Sequence, residues 1–265
     1  MIDIPVFIVC LMSVRAHMCN EAVPKLNKMF NNVSIHPAVD SSHIKLNDTR
    51  ISPYARYHIS HALELDLAHL SSMGAIGCYL SHMELWHKVI HTNTPMIIME
   101  DDVPIDELFL RKALSDIPSD LDHAALVYFP WVGSADCDDI WCKPVNRNSV
   151  FGTQMYYITP RGASILLENA LPIFAPVDIY ITYVANTNNQ FRSAFYKSSY
   201  FPFYQPLVQE MQSTIGRRIS IKKIFMPESN VYYVMFIIIC AVAYIRPNMR
   251  CECKTKHKKK KELDV

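Results

Sequence analysis

The sequence predicts an α/β fold, and two observations carry that prediction. Short apolar runs rich in β-branched residues alternate with segments of helical periodicity, the pattern of a sheet with crossover helices. The chain has 265 residues and is 50% hydrophobic, enough for a substantial core without disulfides or a structural metal.

The elements follow in order. Val6–Leu11 reads as a buried, parallel-type strand between Pro5 and Ser13. The apolar stretch 4–14 has no basic residues before it and no small-residue cleavage site after it, so a signal peptide is not expected. Residues 15–30 have helical spacing, with Met18, Ala22, Leu26 and Met29 on one face. Val33–Val39 is a second strand ending at Asp40. Residues 41–72 are polar, with a helix expected over 59–70. Gly74–His91 is the strongest helix, with Ile76, Leu80, Met83, Trp86, Val89 and Ile90 in one stripe and Glu84–Lys88 as an i, i+4 pair. Thr92–Pro95 breaks it. Met96–Met99 is a buried strand that runs directly into Glu100-Asp101-Asp102. A helix over 107–115, a strand at 124–129, a polar loop over 131–149, a strand at 151–159 and a helix from Pro160 to about Leu171 complete the body.

Charge is uneven. After Ile245 eight basic residues face three acidic ones, a local +5 that leaves about −4 on the rest of a chain of net +1. A mildly acidic body does not suit nucleic-acid binding. The eight cysteines form no CxxC or His pairing at zinc spacing, and no disulfide framework is expected. Two divisions follow: a body over 1–228, and 229–265, comprising an apolar segment and a basic tail. Residues 231–245 carry no charge and would reach roughly 22 Å as a helix, near the ~30 Å hydrocarbon core. With basic flanks, and Cys251 and Cys253 just beyond, this segment reads as a single C-terminal span or anchor. A buried helix with a solvated tail is the alternative.

The chemistry centres on Glu100-Asp101-Asp102. Ligands bind at strand C-termini in open α/β sheets. Three adjacent acids repel one another unless a cation is present, and hard oxygen ligands suit Mn2+ or Mg2+ bridging phosphates. For the triplet taken alone, a solvated acidic turn capping the next helix is the favoured explanation.

The surrounding blocks decide between these. Ala38-Val39-Asp40; Ile76-Gly77-Cys78-Tyr79-Leu80-Ser81-His82 with Trp86; Met99-Glu100-Asp101-Asp102-Val103; Gly152-Thr153 with Tyr156-Tyr157-Ile158; and Pro176-Val177-Asp178 occur in this order. A weaker block, Pro206-Leu207-Val208-Gln209, follows. Together they resemble glycosyltransferase family 25, the lipooligosaccharide galactosyltransferases and collagen β-galactosyltransferases, over about residues 4–216. The resemblance implies a GT-A fold, a Rossmann-like mixed sheet flanked by helices, here with a C-terminal apolar helix. It implies a metal-dependent hexosyltransferase that takes a UDP-linked sugar to a glycan, lipid or protein acceptor with inversion.

By resemblance Asp102 is a direct metal ligand with Glu100, while Glu100, Asp101, Asp40, Ser81, His82 and Gln209 serve the donor. His82 is expected to hydrogen-bond a carboxylate of the acidic loop. Asp178 is the candidate base for the acceptor hydroxyl; Pro-x-Asp equally suits a helix N-cap over 179–185. The pattern departs from the family at Cys10, where an Asn is usual, at Ala75, where a Glu is usual, and in retaining Arg15 alone of several arginines. Those changes leave a catalytically inactive GT-A scaffold, used for binding, as the alternative function. A metal-dependent hydrolase of nucleotide sugars is a third.

Overall fold

In the computed structural model the described residues are 1–61, 70, 72–103, 105–117, 125–128, 132–133, 135–138, 141–144 and 150–196. The chain divides into two units, Met1–Arg217 and Arg218–Val265, and the described residues all lie in the first.

The strands are β1 (Val6–Cys10), β2 (Val33–Pro37), β3 (Met96–Glu100), β4 (Ala125–Tyr128), β5 (Val132–Gly133), β6 (Ala135–Asp138), β7 (Trp141–Pro144), β8 (Val150–Phe151), β9 (Met155–Ile158) and β10 (Arg192–Tyr196). The helices are α1 (Met12–Leu26), α2 (Pro53–His61), α3 (Met73–Thr92), α4 (Glu107–Ser115), α5 (Pro160–Glu168) and α6 (Val177–Thr187). Eight strands form one mixed sheet in the order β2-β1-β3-β9-β4-β10-β7-β6. The four that position the site are β2, β1 and β3, which are parallel, and β9, which runs antiparallel to β3.

Alternation along these strands splits the core in two. Val6, Ile8, Cys10, Ile97 and Met99 face one side, where they pack with residues of α1 and α4. Phe7, Val9, Met96 and Ile98 face the other, where they meet residues of α3, α5 and α6. A side-chain period of two thus gives a helix–sheet–helix sandwich. Trp86, Tyr79, Tyr156 and Tyr180 are its largest fully buried side chains.

Local chemistry sets the helix ends. Ser72 caps α3 by accepting from Ala75 N–H, and Asn93 ends it in the left-handed region at φ 47°. Asp106 caps α4, and Thr159 caps α5 ahead of Pro160.

The sequence expectations need six corrections. First, α1 begins at Met12, and its inner face carries Cys19 rather than Met18. Second, Cys19 forms a disulfide with Cys10, so a crosslink joins the end of β1 to the second turn of α1. Spacing hid this pair, because the strand end and the helix turn bring it together only in three dimensions.

Third, the helix expected over 59–70 starts at Pro53 and runs to His61; residues 62–69 lie outside the described set. Fourth, Glu84 does not pair with Lys88. It meets His36 at 3.1 Å, and Lys88 Nζ lies 4.2 Å from the Phe7 ring centroid. Ile90, at the end of the stripe, is 39% exposed. Fifth, the polar loop 131–149 contains β5, β6 and β7.

Sixth, the expected membrane span or anchor is not supported. Among the described residues no helix is long and apolar enough to cross a membrane. Even the 20-residue α3 carries Glu84, Lys88 and three histidines. The segment 231–245, its expected apolar helix and Gln209 lie outside the described residues.

Candidate active site

Parallel β1 and β3 end side by side, so residues after both strands share the carboxyl edge of the sheet. Leu11, between β1 and α1, donates its N–H to Asp101 Oδ2 at 3.2 Å. Arg15, one turn into α1, places Nη1 2.6 Å from Asp101 Oδ1 and 2.9 Å from Asp102 Oδ2. All three side chains are at least 85% buried. The acidic loop is therefore clamped by a guanidinium and by the N-terminus of α1, whose free amides and dipole favour negative charge.

Glu100 is held from the opposite side. Its N–H donates to Gln154 carbonyl at 2.8 Å, and its Oε1 accepts from Thr153 Oγ at 2.6 Å. The next residue back, Gly152, donates its N–H to Asp178 Oδ2 at 2.8 Å. Gly152-Thr153 thus bridges Glu100 and Asp178, which are 78 positions apart in the sequence. Gly152 has φ +96°, and a Cβ there would collide with the Gln154 side chain.

Asp178 lies in the first turn of α6, whose N-cap is Pro176. Its Oδ1 accepts from Ile179 N–H at 2.8 Å. Burial, opposed by these amides and reinforced by Glu100, raises its pKa above the ordinary carboxylate value. Burial followed by the charge of Glu100 raises Asp102 to about 6 despite Arg15. Burial works against charge on Glu100 too, but His82, Thr153 and Arg15 together hold its pKa below the usual range.

Asp40 stands exposed after β2 and accepts from Ser42 N–H at 2.9 Å, capping a short turn over Ser41–His43. The segment before it is pressed against α3. Ser81 Oγ accepts from Val39 N–H at 2.8 Å and donates to Gly77 carbonyl at 2.7 Å. The Ser81 hydroxyl is buried and fully engaged as a brace for the Asp40 loop. Gly77 permits the approach, since a Cβ there would stand 2.6 Å from Val39 carbonyl oxygen.

His82 is fully buried. Its Nδ1 lies 2.7 Å from Tyr156 hydroxyl, which also accepts from Trp86 Nε1 at 2.9 Å. Its Nε2 faces Glu100 Oε1 at 3.8 Å, so the hydrogen bond expected between His82 and the acidic loop is not formed.

Residues 5–131 match the family model described as Glycosyltransferase family 25 (LPS biosynthesis protein). Over these residues the chain is of the glycosyltransferase family 25 type. Relatives each named "Glycosyltransferase 25 family member" agree. The Aedes aegypti protein is 30% identical over 181 residues, 61% of this chain and 29% of that one. The Anopheles gambiae protein is 31% identical over 119 residues, 42% of this chain and 20% of that one. The Drosophila pseudoobscura pseudoobscura protein is 26% identical over 194 residues, 65% and 30%. The chain thus spans under a third of these relatives' own length.

The family match covers Asp40, Ser81, His82 and the acidic triplet. Asp178 lies beyond it and joins the site through Gly152. Two features of this candidate site were not anticipated from the sequence: Arg15 as the partner of both aspartates, and Thr153 as the clamp on Glu100. The retained arginine was the only available signal for the first.

Proposed function

We propose that the chain is a GT-A-type glycosyltransferase moving a hexose, galactose or glucose, from a UDP-linked donor to a glycan, lipid-linked glycan or protein acceptor with inversion. One observation carries the reading. Glu100, Asp101 and Asp102 at the end of β3 are tied through Gly152-Thr153 to Asp178, so donor-side acids and a candidate base form one bonded unit.

The donor set fits a divalent cation. Arg15 pairs with Asp101 and Asp102, while Glu100 and Asp178, linked through Gly152-Thr153, add two further carboxylates nearby, an excess of negative charge with hard oxygen ligands. Asp102, with Glu100, would hold Mn2+ or Mg2+. When bound, the cation would offset charge developing on the departing diphosphate.

This chain's own groups do the rest. Arg15 and Leu11 N–H fix the acidic loop. Asp40, braced by Ser81, offers a carboxylate for the nucleoside. Asp178, with its raised pKa, accepts a proton from the acceptor hydroxyl as that oxygen attacks the anomeric carbon. Thr153 and the Gln154 carbonyl orient Glu100, with His82 beside it.

A second reading is a nucleotide-sugar-binding scaffold without turnover. It is favoured by Arg15, which already gives Asp101 and Asp102 a cationic partner. Thermal denaturation with Mn2+ and a panel of UDP-sugars separates the two. A Mn2+-dependent rise in melting temperature with a UDP-hexose, together with transfer, supports the enzyme. A rise without transfer supports the scaffold, and no rise with any nucleotide sugar removes the donor site.

A further inference from the structure

We propose that Cys78, His82 and Glu100 form a binding site for a borderline-soft divalent cation of the Zn2+ class, chemically distinct from the oxygen-only set of Asp101 and Asp102. Cys78 and His82 are i and i+4 on α3, hence one above the other on the face turned to the end of β3. One ligand atom from each, the Cys78 sulfur, a His82 ring nitrogen and a Glu100 carboxylate oxygen, lies within 4.8 Å of both others.

The decisive atom is His82 Nε2. The residue is fully buried, and this nitrogen has no hydrogen-bond partner. A buried polar atom left unpaired is destabilising, so a ligand that pairs it is favoured. Tyr156 hydroxyl holds Nδ1 at 2.7 Å and thereby fixes the ring, so Nε2 must face Glu100. A hydrogen-bonded far nitrogen is the usual support for a metal-ligating imidazole. Zinc bonds of about 2.0–2.3 Å in a tetrahedron put ligand atoms about 3.3–3.8 Å apart. The 3.8 Å between His82 Nε2 and Glu100 Oε1 is a few tenths of an ångström wider than the roughly 3.3–3.6 Å a nitrogen–oxygen pair needs, a gap that a small side-chain shift closes.

One thiolate, one imidazole and one carboxylate favour Zn2+ over Mg2+ or Ca2+. On ligation Cys78 loses its thiol proton to solvent, His82 keeps its proton on Nδ1 toward Tyr156, and Glu100 binds as the carboxylate. Three protein ligands leave a fourth position open. Because Glu100 also belongs to the proposed donor site, bound Zn2+ should inhibit transfer; that consequence alone rests on the transferase reading.

The test is optical and independent of activity. Co2+ added to the metal-free full-length chain, with its disulfide intact, should bind at one equivalent. It should show the near-ultraviolet thiolate-to-cobalt charge-transfer band and the intense visible bands of tetrahedral Co2+, both displaced by Zn2+. Cys78→Ser should lose the charge-transfer band, and Glu100→Gln should weaken binding at least tenfold. Asp102→Asn and the Cys10→Ser/Cys19→Ser double variant should retain the band. As a check that needs no variant, Zn2+ should protect Cys78 of the native chain from alkylation, mapped by mass spectrometry. Absence of the band in the native chain, its survival in Cys78→Ser, its dependence on Cys10 and Cys19, or unprotected Cys78 would each overturn the proposal.

Discussion

Arg15 Nη1 stands 2.6 Å from Asp101 Oδ1, joining residues 86 positions apart across the carboxyl edge of the sheet. The same nitrogen reaches Asp102 at 2.9 Å. Removing one partner of a buried ion pair costs about 3–5 kcal/mol, because the remaining charge is stranded. Arg15→Met should therefore lower stability by about 3 kcal/mol at neutral pH, measured by urea denaturation. Mn2+ should recover part of the loss. An unchanged midpoint would show that solvent already screens the aspartates.

The pH dependence follows from Asp102. Its folded pKa of about 6 lies above the unfolded value of about 4. Between those values the native state binds more protons, so this contribution is fully present below about pH 4 and is lost as pH rises through about 6. The interval corresponds to about 3 kcal/mol as an order of magnitude. In chelator, native stability minus that of Asp102→Asn should fall over this window. Parallel curves for the two proteins would contradict the assignment.

Gly77 sets two effects against each other. Alanine is the better helix former by about 1 kcal/mol. Its Cβ, however, would sit 2.6 Å from Val39 carbonyl and 3.2 Å from Ser41 Cβ, and backbone cannot yield cheaply. Steric cost of about 1–3 kcal/mol should win. Gly77→Ala is expected to lower the melting temperature and, through the displaced Asp40 loop, donor affinity. A stabilised variant would show that the loop shifts freely.

Tyr156→Phe removes the hydroxyl shared by Trp86 and His82 and leaves two buried ring nitrogens unpaired. At about 1–3 kcal/mol per stranded group, the loss should be about 2–6 kcal/mol in chemical denaturation. A cost under about 1 kcal/mol would mean that His82 and Trp86 find other partners.

Elements with strong local signals were legible in the sequence. The apolar runs of β1 and β3, the stripe of α3 and the short helix α4 all carry their signal within a few residues. The strands inside 131–149 were not, because their pairing, such as Cys137 with Cys142 and Phe195 with Cys142, depends on register rather than periodicity. At the site, Glu100-Asp101-Asp102 was visible as charge after a strand. Its partners Arg15 and Thr153 were hidden by separations of 86 and 53 residues. The Cys10–Cys19 pair was invisible for the same reason that Glu84 chose His36 over Lys88: tertiary proximity outcompeted local spacing.

The central claim is that the Glu100–Asp102 loop serves transfer from a nucleotide sugar. A mass-spectrometric screen of UDP-sugars with glycan, lipid-linked and protein acceptors, comparing the native chain with Asp102→Asn, tests it most directly. The account predicts a hexose-sized mass gain on one acceptor with release of UDP, reduced at least a hundredfold in Asp102→Asn, about 3 kcal/mol of transition-state stabilisation. Equal transfer by both proteins, or none by the native chain with any donor, would contradict it.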